Sequence, residues 1–237
     1  MTSAAPWPRL LLPGLSTLAM LAVLLFLGTW QVERLAWKQG LLDIIADAEQ
    51  RPAISLPDNP PPFAKVRVEG VFDPSLSALY GAEVRSMGGV GTGGGRQLGV
   101  LRREGAVPVL VDRGWVPVAS MSASADIVQP VPAGPVVVEG YVRPADQPGM
   151  FTPDDDVVRS RFYTLDPRAI GPALGVDAIA PFVLVAMGPP PPQGYPEPAS
   201  ALPRPPNNHL VYAATWYGLA VVLLAIFVLY ARKVLRP

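Results

Sequence analysis

The residue with the most chemistry to offer is His209, the only histidine in the chain. It stands where a hydrophobic run begins, and neutral imidazole is a common axial ligand for haem iron. On a helix, His209 shares a face with Tyr212, Ala213, Trp216 and Ala220. Small side chains on that face would let a flat macrocycle lie close, with the aromatics packing its edges. The plainer reading is an interfacial histidine in an aromatic belt with Trp216 and Tyr217. Residue types alone leave both open.

Other chemistries are poorly served. There is no cysteine, which excludes thiol nucleophiles, disulfides and thiolate metal sites. One histidine cannot build a multi-histidine metal centre. A Ser-His-Asp triad would have to use His209, and no G-x-S-x-G elbow is present. Asp154, Asp155 and Asp156 could hold a hard cation, but three acids after a proline more often form a solvated turn. Gly88–Gly95 is rich in glycine yet lacks the Lys-Ser/Thr and helix of a phosphate loop, so a flexible hairpin loop is expected. No basic run with interleaved aromatics points to nucleic acid.

The elements that must position His209 are set by two hydrophobic runs. The first spans about Leu10 to Leu27 and leads into Gly28-Thr29-Trp30; the second spans Leu210 to about Tyr230. Each is roughly 20 residues, enough to cross the roughly 30 Å hydrocarbon core of a bilayer as a helix. The net charge is zero, but all 19 acidic residues lie between Glu33 and Glu197. Between each span and its nearer terminus the only charged side chains are Arg9, Arg232, Lys233 and Arg236. Basic flanks are retained on the cytoplasmic side, so both termini are expected in the cytoplasm and the middle outside it. A cleaved signal peptide would need a shorter apolar core and a small-residue cleavage site; an uncleaved anchor fits better. No Arg- and Ser-rich transit segment precedes the first run, which favours a bacterial inner membrane over an organelle.

Beyond the first run, Trp30, Arg34, Trp37, Lys38 and Leu41 recur at helical spacing. The helix is expected to leave the bilayer and end at Arg51-Pro52. The period then changes to two. Ala64–Phe72 alternates as a strand with one wet face, turned at Asp73-Pro74. Further strands are expected at Leu79–Arg85, Arg96–Arg102, Val107–Arg113, Val136–Arg143, Arg161–Leu165 and Phe182–Met187, with a turn at Glu104-Gly105-Ala106 and a short helix at Pro167–Leu174. Prolines from Pro189 to Pro206 favour a semi-rigid polyproline strap back to the membrane.

Three segments carry a resemblance to a known family. Gly28-Thr29-Trp30-Gln31-Val32-Glu33-Arg34-Leu35-Ala36-Trp37-Lys38 resembles the G-x-W-Q-x-x-R-x-x-W-K signature of the Surfeit locus protein 1 family. Val109–Pro117 resembles its V-L-V-[ND]-R-G-W-V-P strand, and Asn207–Ala220 its N-N-H-L-x-Y-A-x-T-W-Y/F-G-L-A start of the second span. The three occur in family order along the whole chain. The sequence departs from the pattern in the glycine-rich stretch Met87–Arg96 and the proline-rich strap. The resemblance implies a membrane-anchored, non-enzymatic assembly factor for haem-copper cytochrome c oxidase. It would assist delivery or insertion of haem a into subunit I, with haem a synthase a further partner. A scaffold that holds oxidase intermediates without binding haem is the alternative.

Carried over residue by residue, the family's ligand histidine is His209, with Tyr212 and Trp216 beside it. Trp30, Gln31, Arg34, Trp37 and Lys38 become a surface for haem propionates or the partner. Arg113, Gly114 and Trp115 are structural or partner-facing. The expected class is an α+β membrane protein whose two transmembrane helices flank an antiparallel β-sheet or small β-barrel in the periplasm. The expected segments are 1–9 (cytoplasmic), 10–30 (first span), 31–208 (periplasmic, with the strap at 189–206), 209–230 (second span) and 231–237 (cytoplasmic).

Overall fold

A computed structural model describes residues 7–118, 130–192 and 194–236. Parts of the expected terminal tails (residues 1–6 and Pro237), of the central domain (119–129) and of the strap (Gln193) lie outside the described residues. The chain divides into two compact units. One is Met1–Ile44 with Arg204–Pro237, and the other is Ile45–Pro203.

The first unit is built from two helices. Helix α1 covers Pro8–Gln50 without interruption and stops at the residue pair Arg51-Pro52. Its 43 residues make it about 65 Å long, about twice the thickness of bilayer hydrocarbon. Helix α3 covers His209–Leu235. Both are long and apolar enough to cross a membrane. Their contacts run antiparallel: Gln31 meets His209, Thr29 meets Tyr217, and Gly14 lies under Phe227. Gly28 lies against the ring of Tyr217, where an added Cβ would come within 2.8 Å of Cε1. Leu24, Ala213 and Ala220 are buried, while Leu11, Leu15, Leu18, Val221 and Leu229 remain exposed, as side chains facing lipid would be.

The second unit is a mixed sheet with one short helix. Strand β1 is Ile54–Ser55, β2 Lys65–Met87, β3 Val90–Arg103, β4 Ala106–Pro117, β5 Pro135–Pro144, β6 Arg161–Phe162 and β7 Phe182–Ala186. Helix α2 is Pro167–Ala173, capped by the Asp166 side chain, which accepts from Arg168 N at 3.0 Å, with Pro167 at its first position. The first half of β2 pairs with β5, and its second half pairs with β3. From β3 the pairing passes to β4, then β7, then back to β5, so the path of hydrogen bonds closes on itself.

Three expectations need correcting. The sheet is not wholly antiparallel: β4 and β7 run parallel, as do β1 and β6 with β2. Between β4 and β7 the chain passes through β5, β6 and α2, a connection long enough for the crossover that a parallel pair requires. Asp73-Pro74 does not turn the chain. The strand continues through a bulge between Phe72 and Ser77, which bends β2 and leaves Pro74 without a ladder bond to supply. The glycine-rich stretch is not a loop either. Only Gly88 and Gly89 form the turn, both with positive φ, and Val90–Gly95 belongs to β3.

Burial explains why β4 reads as a nearly continuous apolar run. Val109 and Val111 join Val66, Val68, Phe72, Leu101 and Leu184 in one cluster. Leu110 points the other way, into a cluster with Leu98, Phe162, Leu165, Ile170 and Val183. Helix α2 contributes Ile170 to the second cluster, so both faces of β4 are covered and neither needs polar side chains.

Candidate functional site

His209 is the first residue of α3, preceded by Asn208, whose side chain makes no capping bond. Its ring is half-buried. Nδ1 lies 2.7 Å from Oε1 of Gln31. A carbonyl oxygen only accepts, so Nδ1 is the donor, and a neutral imidazole in this tautomer has its lone pair on Nε2. That nitrogen is the one left to bind a metal. The register of the two helices is held just below: Thr29 Oγ1 and Tyr217 Oη lie 3.2 Å apart, and Gly28 admits the Tyr217 ring.

Two enclosed polar atoms flank the histidine along the chain. Asn207 Oδ1 and Trp216 Nε1 are buried and have no hydrogen-bond partner. An enclosed polar group left unpaired is costly, and Trp115 Nε1 in the sheet unit is in the same condition. Tyr212 is 55% exposed and stands apart from them.

The expected single face of His209, Tyr212, Ala213, Trp216 and Ala220 is not open. Ala213 and Ala220 are only 3% and 5% exposed. Small residues let packed helices approach closely, so this stripe is used in packing and presents no flat bed for a ring. Gly218 and Ala214 lie away from it. An added Cβ at Gly218 would meet nothing within 4 Å, and Ala214 is exposed.

The surface on α1 also divides. Trp30, Arg34 and Trp37 are exposed, with the Arg34 guanidinium 4.0 Å from the Trp37 ring centroid. Gln31, Leu35 and Lys38 are half-buried on the adjoining face. Gln31 therefore belongs with His209, and Arg34 with the two tryptophans. The partnership of Gln31 with His209 was not legible from either motif alone. Its signal was positional: each residue stands at the polar end of its apolar run, and two antiparallel spans bring those ends together.

Arg113, Gly114 and Trp115 sit in the sheet unit. Trp115 is 1% exposed, its ring centroid 5.8 Å from that of Tyr195. Trp115 N donates to Glu197 O at 2.9 Å, and Glu197 N donates back to Trp115 O at 2.8 Å. The proline-rich segment is thus pinned to β4 through Glu197. Gly114 has φ +130, and a Cβ there would overlap the Glu197 carbonyl. Asp112, with a fully buried side chain, pairs with Arg96 and accepts from Gly114 N. Arg113 donates from Nη2 to Pro130 O at 3.1 Å and lies over Phe72; burial pushes its guanidinium down to about 10. This geometry packs the motif inside the sheet unit.

Sequence reasoning missed a polar cluster on β2 and β5. Tyr80 Oη donates to Asp146 at 3.0 Å, and Arg143 Nη2 donates to the same carboxylate at 2.8 Å. Burial raises the Tyr80 phenol above its ordinary range. The Asp154–Asp156 run is spoken for by the backbone. Asp155 Oδ1 accepts from Tyr163 N, and Asp156 accepts from Arg159 N. Among the described residues, no group of three or more His, Asp or Glu could hold a metal ion.

The SURF1 family model matches residues 18–221. The chain belongs to that family. A SURF1-like protein of Rickettsia conorii is 30% identical over 217 residues, which cover 89% of this chain and 88% of the relative. Surfeit locus protein 1 of Takifugu rubripes is 29% identical, covering 81% and 86%, and that of Arabidopsis thaliana is 25% identical, covering 98% and 79%. The matched region of this SURF1-family protein takes in Gln31, the Asp112–Trp115 strand and His209 together.

Proposed function

We propose that this SURF1-family protein is a non-enzymatic assembly factor for haem-copper cytochrome c oxidase, which holds haem a for insertion into subunit I. It works with subunit I and haem a synthase as partners, in the inner membrane of a bacterium. Helices α1 and α3 cross that membrane. The basic residues Arg9, Arg232, Lys233 and Arg236 support cytoplasmic termini. Residues 31–208 then lie in the periplasm, with the closed pairing path of the sheet unit read as a small barrel.

The observation that carries this reading is the state of His209. Its Nδ1 is engaged by Gln31, which leaves Nε2 as a neutral donor of the kind that haem iron takes. The enclosed Asn207 Oδ1 and Trp216 Nε1 are suited to polar groups of a bound ligand. The donor set therefore fits haem, with His209 as the ligand and Trp216 beside it. When bound, haem a would supply an iron centre that accepts one imidazole from this chain. His209 would hold that iron through Nε2, and the exposed Trp30, Arg34 and Trp37 would offer a cationic, aromatic surface to propionates or to the partner. Holding by one imidazole suits a carrier, because an acceptor with more ligands outcompetes it.

A scaffold that binds no haem is the rival, and one observation favours it: the buried Ala213–Ala220 stripe gives a macrocycle no bed between the helices. Purification of the intact protein from cells that make haem a distinguishes the two. The carrier reading expects a Soret band and haem a on extraction. Purified protein free of haem a, from cells whose oxidase still depends on it, would support the scaffold.

A further inference from the structure

We propose that Gln31 is the positioning residue of the His209 site, setting both which nitrogen faces the ligand and how strongly that nitrogen binds. The inference rests on the haem reading for the identity of the metal, but its geometry stands in this chain alone. A neutral imidazole carries its proton on either nitrogen. Here Nδ1 is 2.7 Å from the Gln31 carbonyl oxygen, so the proton is held on Nδ1 and Nε2 is bare.

The choice of glutamine has a chemical consequence. An acceptor on Nδ1–H makes the opposite nitrogen more basic and fixes the ring orientation. A carboxylate would do this most strongly and would place a charge at the membrane end of two apolar helices, where charge is costly. An amide carbonyl accepts the same proton without charge and polarises the ring less. The result is an iron ligand that is oriented but only moderately basic, which suits a site that must release its cargo.

The supporting residues lie within three positions. Gly28 admits the Tyr217 ring, and Thr29 lies 3.2 Å from the Tyr217 hydroxyl. These contacts fix the register of α1 against α3, and that register brings the Gln31 amide to His209. Asn208 does not compete for the ring through a capping bond, since its side chain makes none to the helix.

Because His209 is the only histidine, its ring can be observed without ambiguity. The full-length protein is purified in detergent without haem, through a histidine-free tag, after labelling histidine with 15N. Long-range 1H–15N spectra then report which nitrogen is protonated. The wild type is expected to show the proton on Nδ1. Gln31→Glu should keep it there, and Gln31→Leu should move the population toward the Nε2-protonated form. A wild type already protonated on Nε2, or an unchanged spectrum in Gln31→Leu, overturns the proposal.

A second arm adds haem and reads the iron–imidazole stretching frequency by resonance Raman at matched haem content. Relative to wild type, the frequency should fall in Gln31→Leu and rise in Gln31→Glu. Equal frequencies in all three proteins overturn the tuning role. A wild type that shows the Nδ1 proton but takes up no haem counts against the haem reading, while the hydrogen-bond assignment stands.

Discussion

The Trp115 ring in β4 lies directly over the backbone of Gly94 in β3. A Cβ at Gly94 would overlap Trp115 Cε2 and the carbonyl oxygen of Val116. The glycine is what lets a large, nearly fully buried side chain lie against the neighbouring strand. The first prediction follows from this contact. Gly94→Ala must displace backbone or a buried ring, at about 3 kcal/mol, and should lower the thermal midpoint of the detergent-solubilised protein by several degrees. Gly40→Ala is the control. It lies in α1 with nothing within 4 Å of its added Cβ, so it should be neutral or stabilising by about 0.5–1 kcal/mol. Equal midpoints for the two variants would remove the role assigned to Gly94.

The same contact shows why part of the fold was legible and part was not. Strand positions and the ends of α1 and α2 follow from period, proline and capping residues, all of which are local. The bend at Asp73-Pro74 and the strand at Gly91–Gly95 read locally as loops. The first is a bulge that depends on the partner strand β3, and the second is a strand because Trp115 needs an open surface there. Both are decided by non-local packing, which a local pattern does not carry. The site divides in the same way. His209 and Gln31 stood out by type and motif, but their pairing depends on the antiparallel register of two spans nearly 180 residues apart.

Helix register is open to direct test, since the chain has no native cysteine. Gly28→Cys with Tyr217→Cys should form an oxidative crosslink in membranes, because a Cβ at Gly28 comes within 2.8 Å of the Tyr217 ring. Gly28→Cys with Gly218→Cys should not, as Gly218 faces open space. A crosslink only in the second pair would mean that α3 is rotated from the described arrangement.

Asp73 ties pH to the stability of the sheet unit. Its carboxylate accepts from Ser75 Oγ at 2.6 Å, and from Ser75 N and Arg102 Nε, which hold it below the ordinary 3.8 despite some burial. Folding therefore favours the ionised form. The contribution is complete above the unfolded value of about 3.8 and is lost as pH falls through the lower folded value. Asp73→Asn should cost about 1 kcal/mol at neutral pH, and the gap from wild type should close in acid. A gap that stays constant with pH would show that the carboxylate charge is not what matters.

Arg34 should act in assembly and not in stability. It is exposed, and its guanidinium stacks on Trp37. Losing that stack costs about 0.5–1 kcal/mol. Arg34→Glu is expected to leave protein levels near normal and to reduce mature oxidase when it is the only copy. Unchanged oxidase would remove Arg34 from the partner surface. Lys38 is a weaker test, because its side chain is half-buried.

The central claim is that His209 supplies the nitrogen that holds haem iron. The most direct measurement is the absorbance spectrum and extracted haem a content of His209→Ala, purified beside wild type from cells that make haem a. The account predicts a variant that is still folded in the membrane, with sharply lower haem a content and a shifted Soret band in whatever haem remains. Unchanged content together with an unchanged Soret position would contradict it.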